Sequence, residues 1–264
     1  MTVLNEFNHN GEELERMLQL RTSPIAIKLL ADEADIPGGA IRPKRDLGVQ
    51  LALCQGFAMS RRNKKTVAML KEDNWCYLPI ISFGMSPPPD FFLEGGTYAK
   101  RRVAEKEDAR RLAQGFPRLE SGKYIGHLSA PLKTAVFAPD LVVIYCISNQ
   151  LRLLLSALRY PRGEMVTSTL DPGGACIQCT VPVIKTGNCQ VTIPCGGDRN
   201  HALAQDDELI FSVPAGKLRD LMIGLEHFEA RGRGYGRFAP DMKPEYPLSD
   251  LYVEMGRKVG LDVH

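Results

Sequence analysis

The sequence predicts an α+β protein in which a mixed sheet is flanked by helices. The prediction rests on short runs of β-branched and aromatic residues bounded by turn residues, and on the segments between them, whose apolar residues have helical spacing. A chain of 264 residues, 44% of them hydrophobic, can fill one core. We therefore predict a single domain over residues 1–264.

The first elements alternate between helix and strand. Gly11 to Leu20 has apolar residues at helical spacing, and Ser23 to Leu30 resembles a strand opened by a proline. Val49 to Arg62 is apolar with few helix-breaking residues, which predicts a mostly buried helix with Cys54 in its middle. The segment NWCYLPIISFG is rich in aromatic and β-branched residues, so a strand is predicted to begin near Cys76.

The clearest loop is MSPPPDFFLEGG, from Met85 to Gly96. Its three consecutive prolines can neither continue a helix nor donate hydrogen bonds within a sheet. The loop is expected to cover a pocket or to link two halves of the chain. Mixed charges at helical spacing then predict a helix from about Thr97 to Gln114.

The second part of the chain is predicted to contain four strands, one of them QVTIP before Cys195, and two long helices. Lys123 to Ala130 and Asp140 to Cys146 are typical strands, and Ser148 is a suitable cap for the helix that follows. Glu208 to Pro214 predicts another strand, and Ala215 to Phe228 another helix.

The two strand-to-helix units resemble each other, because Asp140 to Val143 aligns with Glu208 to Phe211. An internal duplication into halves of about residues 11–160 and 161–264, with a pseudo-twofold axis, would bring the cysteines that precede each unit toward one centre. The alternative is that amphipathic strand-helix units resemble one another without a common origin.

Charge and hydropathy exclude several classes of partner. A net charge of +2 and a pI near 8.1 indicate no polyanionic partner, so we expect no nucleic acid. The N-terminal segment has no signal-peptide pattern, and the most apolar run, Val136 to Ile147, is too short to span a membrane. We therefore expect a cytoplasmic protein without a membrane partner, and the sequence leaves a homo-oligomer open.

The densest group of cysteines lies in CIQCTVPVIKTGNCQVTIPCGG, which holds four of the seven. In reducing cytoplasm, clustered cysteines hold metals or do redox chemistry more often than they form disulfides. Two residues separate Cys176 from Cys179, a spacing that lets both sulfurs approach one metal or cluster. Further thiols complete the set of candidate ligands: Cys54, Cys76, Cys176, Cys179 and Cys195.

This set of thiols favours a 4Fe–4S cluster, with zinc as the alternative. Structural zinc ligands usually arrive as two close pairs, whereas these cysteines are scattered over the chain in apolar segments that would form a dry pocket. Both centres take four protein ligands, and the chain supplies enough.

Two other uses of the cysteines stay open. The CIQC segment suits a redox dithiol or a nucleophile, because a thiolate at a helix N-terminus has a lowered pKa. Free cysteine is also among the most buried residue types, and we expect a plain core role for Cys146 and Cys189.

A small anionic ligand is suggested by two basic residues. In the segment Pro194 to Arg199, Gly196 and Gly197 permit positive φ, so backbone N–H groups could bind an anion beside the Arg199 guanidinium. Lys28, within an apolar strand, is a second candidate. The alternatives are a plain turn with Arg199 paired to a nearby aspartate, and a Lys28 whose stem alone is buried.

Several segments, in this order, resemble one known family: RTSPIAIKLL, the apolar helix with Cys54, the segment with Cys76, APDLVVIYC, GGACIQC, CGGDR and DDELIFSVP. From about Leu18 to Leu225 the chain is similar to domain-of-unknown-function family 169, the ArCR-like family. The resemblance implies cysteines at the positions of Cys54, Cys76, Cys176 and Cys195 and a basic residue at that of Arg199, with Cys179 and Cys189 as additions. It implies no established activity.

We therefore expect an iron–sulfur protein that transfers electrons, or carries out redox chemistry, on or near a small anionic molecule or with a redox partner protein. The alternative is a non-catalytic module that binds a small ligand and has structural cysteines. A third hypothesis is a thiol-dependent enzyme that uses CIQC. The sequence leaves open whether the protein is an enzyme.

Overall fold

The computed structural model describes residues 2–236 and 248–262. Its strands form a six-stranded sheet in the order β2-β3-β1-β4-β6-β5, and all named neighbours pair antiparallel. The strands are β1 (Ile25–Leu30), β2 (Val67–Leu70), β3 (Gly126–Pro131), β4 (Leu141–Cys146), β5 (Gln190–Thr192) and β6 (Leu209–Pro214). The α+β class is confirmed, although the pairing of the described strands is antiparallel rather than mixed.

Helices of very different length surround the sheet. They are α1 (Val3–Leu18), α2 (Pro43–Leu47), α3 (Leu53–Arg61), α4 (Tyr77–Ser82), α5 (Asp90–Leu93), α6 (Lys106–Gly115), α7 (Ser148–Arg162), α8 (Ala175–Gln178), α9 (Val181–Thr186), α10 (Gly196–Ala202), α11 (Leu218–Ala230) and α12 (Asp250–Lys258). Single 3₁₀ turns lie at Glu33–Asp35, Lys71–Asp73, Leu132–Thr134 and Ala215–Lys217. No helix in the described parts of the chain is long and apolar enough to cross a membrane.

The alternation of side chains along each strand divides the core into two clusters. In β4, Val142 and Ile144 belong to one cluster, whereas Val143 and Tyr145 belong to the other. The first cluster packs against α1, α7 and α11, and we call that side of the sheet the helical face. The second packs against α3 and shorter helices, and we call that side the cavity face.

The helical face is closely packed. Helices α7 and α11 cross at Gly224, where an added Cβ would lie 2.0 Å from the carbonyl oxygen of Ala157. In α1, an added Cβ at Gly11 would lie 2.5 Å from the backbone nitrogen of Lys133. Both glycines therefore allow a helix to approach neighbouring backbone closely.

Several element boundaries differ from the sequence prediction. Helix α1 begins at Val3, before Gly11, and the Thr2 hydroxyl accepts a hydrogen bond from the Asn5 N–H. The strand predicted to begin near Cys76 is wrong, because Cys76 precedes helix α4. A short apolar run does not distinguish strand from helix by its periodicity.

The helix predicted from Thr97 to Gln114 is shorter in the structure, since α6 begins at Lys106 and residues 97–105 form turns. The cap of α7 also differs. Ser148 is the first helical residue, and the Gln150 side chain accepts a hydrogen bond of 2.8 Å from the Ile147 N–H.

The two similar strand-to-helix units lie side by side. Strands β4 and β6 pair so that Leu141 faces Pro214 and Cys146 faces Leu209, a register that is symmetric under the sequence alignment of the units. Their helices α7 and α11 pack together, as a local twofold axis would require. Beyond them the described sheet has three strands on one side and one on the other, so duplication of the whole chain stays a prediction.

Candidate functional site

Four of the predicted cysteines line one cavity on the cavity face. Its volume is about 480 Å³, and its wall includes Cys54, Cys76, Cys176 and Cys195. These residues come from four separate parts of the chain: the start of α3, the residue before α4, helix α8, and the residue before α10. The fold therefore brings together thiols that are up to 141 positions apart in the sequence.

Cys54 and Cys76 are held near each other by one glutamine. The Gln55 side chain accepts a hydrogen bond of 2.8 Å from the Ala52 N–H, which caps the start of α3. The same oxygen accepts a hydrogen bond of 3.1 Å from the indole N–H of Trp75. Gln55, which follows Cys54, is thus hydrogen-bonded to Trp75, which precedes Cys76.

A buried carboxylate, that of Asp73, holds the segment that leads to Cys76. Asp73 is fully buried and accepts hydrogen bonds from the Arg42 guanidinium at 2.6 Å and from the backbone N–H groups of Lys44 and Leu70, both at 3.0 Å. Its carbonyl oxygen accepts a hydrogen bond of 2.8 Å from the N–H of Leu51. The Asp73 carboxylate therefore has the hydrogen-bond partners that a buried charge needs. These contacts hold the chain segment that precedes Cys76 in place.

Cys176 is placed by a turn that requires glycine. Gly174 has φ of +67° and precedes helix α8, and an added Cβ there would lie 2.9 Å from the Phe116 ring. The Asp171 carboxylate accepts hydrogen bonds from the Gly173 N–H at 2.7 Å and from the Gln178 amide at 3.1 Å. These contacts hold the loop and α8 as one unit that presents Cys176 to the cavity.

Cys195 and the glycines after it form another wall. Gly196 and Gly197 line the cavity as the first residues of α10, and the Cys54 thiol lies 3.8 Å from the Gly197 carbonyl oxygen, to which it donates. Neither glycine has positive φ, because the two residues form the first turn of α10, and anion binding there stays a prediction. Their backbone is ordinary helix.

The thiols are in an apolar environment. Burial raises the pKa of the Cys54 thiol to about 12, raises that of Cys76, and raises that of Cys176 well above its ordinary value. The neighbouring thiols raise the pKa of Cys176 further, as expected for cysteines that are close together. A nucleophilic thiolate needs a lowered pKa, so this environment does not favour thiol catalysis by CIQC.

The arrangement of the thiols bears on the type of inorganic centre. Within residues 2–236 and 248–262, no three or more His, Cys, Asp or Glu side chains are arranged to hold a metal ion. A single zinc ion needs its ligands in one tight tetrahedron, whereas each thiolate of a 4Fe–4S cluster binds a different iron atom. The four thiols line one cavity without forming a preformed ligand group among the described residues.

A buried ionic network lies beside the cavity. The guanidinium of Arg61, fully buried, is 3.4 Å from the carboxylate of Glu208 and stacks 3.8 Å from the centre of the Tyr145 ring. The Tyr145 hydroxyl donates a hydrogen bond of 2.9 Å to the Asp198 carboxylate. Burial raises the pKa of Asp198 to about 6, although Tyr145 and Arg61 oppose the shift.

Sequence reasoning missed one part of the cavity wall. Thr97, Tyr98 and Arg102 line it, in a segment that the sequence assigned to a helix. The hydroxyls of Thr97 and Tyr98 are buried, and neither has a hydrogen-bond partner in the described parts of the chain. The rim includes His201, whose ring meets that of Trp75 edge-to-face at 5.5 Å.

Three predicted site residues lie away from the cavity. Lys28 points to the opposite face from its strand neighbours Ile27 and Leu29, which belong to the cavity-face cluster. Arg199 donates hydrogen bonds to the Gln205 carbonyl at 2.8 Å and to Asp206 at 3.1 Å, which is the alternative that the sequence left open. Neither of these two cations is among the residues that line the cavity.

The third is Cys179, which is fully buried and has its thiol 3.5 Å from the carbonyl oxygen of Cys176, outside the cavity wall. Of the two CIQC cysteines, only Cys176 lines the cavity. Cys146 and Cys189 are buried in the cluster of the helical face, in agreement with the core role expected for them.

Comparison with known proteins places the chain in a family without an assigned function. The sequence profile of domain-of-unknown-function family 169, described as uncharacterised ArCR, matches residues 13–224. An uncharacterised protein of Methanocaldococcus jannaschii is 24% identical over 228 residues, which cover 85% of this chain and 96% of that protein. No solved structure matches the chain. The chain therefore belongs to the uncharacterised ArCR family, as its motifs predicted.

Proposed function

We propose that this protein binds an iron–sulfur cluster through Cys54, Cys76, Cys176 and Cys195, and that the cluster serves electron transfer or redox chemistry on a small molecule in the same cavity. The observation that carries the proposal is that these cysteines, from four separate segments, line one cavity. The number and type of donors match those of a 4Fe–4S cluster.

The surroundings of the thiols also support this proposal. Their neighbours in the wall include Leu53, Leu78 and Ile177, so the pocket is largely apolar. Hydrophobic surroundings limit the access of water to a cluster and help to set its reduction potential. Binding would require the four cysteine side chains to rotate toward a common centre and to lose their protons, which a metal centre induces.

The cavity is larger than the inorganic centre alone requires. Its volume of about 480 Å³ lies within the range of pockets for small organic ligands, about 300–1,000 Å³. A cluster at the cysteine wall would leave the wall of Thr97, Tyr98 and Arg102 for a small molecule. The electrons would be exchanged with a redox partner protein.

Anaerobic purification of the full chain tests the cluster. We expect iron and acid-labile sulfide in nearly equal amounts and an absorption band of a cluster in the visible range. Changing Cys54, Cys76, Cys176 or Cys195 singly to alanine should reduce iron binding strongly, because each would be one ligand of four.

The chain supplies matched controls for these variants. Cys146→Ala and Cys189→Ala remove thiols on the helical face, and Cys179→Ala removes the second cysteine of CIQC. All three should retain the iron content of the unchanged protein. Folded, iron-free protein after anaerobic purification and reconstitution would contradict the proposal, and equal iron loss in Cys179→Ala would contradict the ligand set.

A second candidate function is a ligand-binding module with structural cysteines. Two observations favour it: the raised pKa values of the buried thiols, which keep them protonated at neutral pH, and the absence of a preformed metal-ion group in the described residues. In that case the protein would be iron-free and stable, and single alanine variants at the cysteines would change ligand affinity without any metal.

A further inference from the structure

We infer that the wall formed by Thr97, Tyr98 and Arg102 binds the carboxylate group of a small organic acid whose apolar body lies in the cysteine cavity. This inference rests on the proposed function, because it names the class of small molecule that would occupy the same cavity.

The hydroxyls of Thr97 and Tyr98 indicate a missing polar partner. Tyr98 is only 7% exposed, and its ring packs against Phe92 at 5.9 Å and Phe116 at 6.4 Å. Both hydroxyl oxygens are buried without a hydrogen-bond partner in the described parts of the chain, although their residues line the cavity. Buried polar groups are normally hydrogen-bonded, so these two point to a ligand with acceptor oxygens.

The charge of that ligand follows from Arg102. Arg102 lines the cavity one turn after Tyr98, since its N–H donates a hydrogen bond of 2.9 Å to the Tyr98 carbonyl. Within the described residues, its guanidinium makes no ion pair. A guanidinium offers a planar pair of donors that matches a carboxylate.

Asp171 is the carboxylate in the same wall, and it does not replace the ligand. A Cβ built on Gly173 would lie 3.3 Å from both the Arg102 Nη1 and the Asp171 Oδ1, so the two side chains are near each other. However, Asp171 already accepts hydrogen bonds from Gly173 and from Gln178 through its two oxygens. These two hydrogen bonds hold the loop, and in the described parts of the chain no hydrogen bond or ion pair joins Asp171 to Arg102.

The rest of the cavity defines the body of the acid. Leu112, Phe116 and Ile177 contribute apolar surface, and Trp75 and Tyr77 contribute partly exposed aromatic rings. Such a wall binds aromatic or aliphatic groups by excluding water. The combination of this wall with a guanidinium and two hydroxyls fits an apolar monocarboxylic acid.

Calorimetry with simple probes tests the inference on the full chain. The probes are benzoate, phenylacetate and hexanoate, each compared with its neutral amide. We expect the acids to bind about tenfold more tightly than the amides, because charge-assisted hydrogen bonds to a guanidinium are stronger than neutral ones. Tyr98→Phe and Arg102→Gln should each weaken acid binding about tenfold, and Arg102→Gln should remove the preference for the acid.

Neighbouring residues provide the controls. Arg101→Gln removes the adjacent charge, which lies outside the cavity wall, and Tyr124→Phe removes a tyrosine hydroxyl elsewhere on the cavity face. Both should bind the acids as the unchanged protein does. Circular dichroism of each variant verifies that it is folded.

The outcomes separate this inference from the cluster. Absence of binding by all three acids, equal affinity for acids and amides, or unchanged affinity in Tyr98→Phe and Arg102→Gln would overturn it, whatever the iron content. Selective acid binding in iron-free protein would support it while the cluster proposal fails. Iron measurements on the same samples therefore keep the two results distinct.

Discussion

The two faces of the sheet use the same strands but are built differently. On the helical face, long helices of 16, 15 and 13 residues, α1, α7 and α11, cover the sheet. On the cavity face, short helices of six, four and seven residues, α4, α8 and α10, are joined by turns. Long helices fill a face completely, whereas short ones separated by turns leave room for a cavity and place side chains from many segments around it.

The faces also differ in the polar groups that they bury. The cavity face encloses Arg61, Asp198 and Glu208, and His127, whose two ring nitrogens have no hydrogen-bond partner among the described residues. Such groups are costly to bury, so a face that retains them gives up stability that apolar packing would provide. The cavity and the longest helices therefore lie on opposite sides of one sheet.

The largest expected effect comes from removing the buried cation of the cavity face. Arg61→Met leaves Glu208 buried without its cation, and loss of one partner of a buried pair lowers the free energy of unfolding by about 3–5 kcal/mol. Urea denaturation measures the change. Arg62→Met is the control, because Arg62 is only partly buried and should lose less.

A loss in Arg61→Met no greater than that in Arg62→Met would contradict this prediction. It would mean that the network on the cavity face adds nothing to stability. The same denaturation curves, fitted for their slope, show whether both variants still unfold in one cooperative step.

The pH dependence of stability is the second test, because the cavity face buries two groups with shifted pKa values. The pKa of Asp198 rises from 3.8 to about 6, so its contribution to stability is lost as the pH rises from about 4 to about 6. Burial lowers the pKa of His127 from 6.5 to about 4, so its contribution is lost as the pH falls from about 6.5 to about 4. The two effects oppose each other in one pH window.

Single variants should therefore reveal each effect. In Asp198→Asn, the free energy of unfolding should fall by about 2–3 kcal/mol on acidification from pH 6.5 to 4, because the effect of His127 is no longer offset. In His127→Leu it should instead fall as the pH rises from 4 to 6. The exposed Asp206→Asn is the control, and curves that match it in both variants would contradict the prediction.

The smallest expected effect lies on the helical face. Ile144→Val removes one methylene from a fully buried residue and should lower the free energy of unfolding by about 1 kcal/mol. Because no titrating group of the network is on that face, the loss should be the same at pH 5 and pH 8. A loss that depends on pH would show that the faces are coupled.

Much of the fold follows from the sequence, because apolar strands such as β4 and β6 are short, β-branched and bounded by turn residues. Strand β2 has only four residues and was not predicted, since so short a run has no recognisable period. The helix α1 extends through Asn8 and Gly11, residues that disfavour helices by themselves, because the Asn8 amide donates hydrogen bonds to the carbonyls of Leu132 and Ala135. Tertiary contacts override local preference there.

For the site, the cysteines were predicted from the sequence, but the other residues of the cavity wall were not. The thiol count and the family motifs named Cys54, Cys76, Cys176 and Cys195, and the structure brings these to one cavity. Their distances in space depend on long-range packing, which no local pattern contains. The wall from Thr97 to Arg102 was not predicted, because its charged residues resemble those of a solvated helix. The face of the sheet on which Lys28 lies was not predicted either, because it depends on the register of the whole sheet.

The position of β5 has a consequence for the order in which the protein is completed. This edge strand, which leads into Cys195, pairs among the described strands with β6, and β6 is synthesised later. Since chains emerge from the ribosome with the N-terminus first, the strand that leads into the fourth thiol can join the sheet only after residues 210–212 have been made. A metal centre held by all four thiols, as proposed above, would therefore be completed only after β6 has joined the sheet.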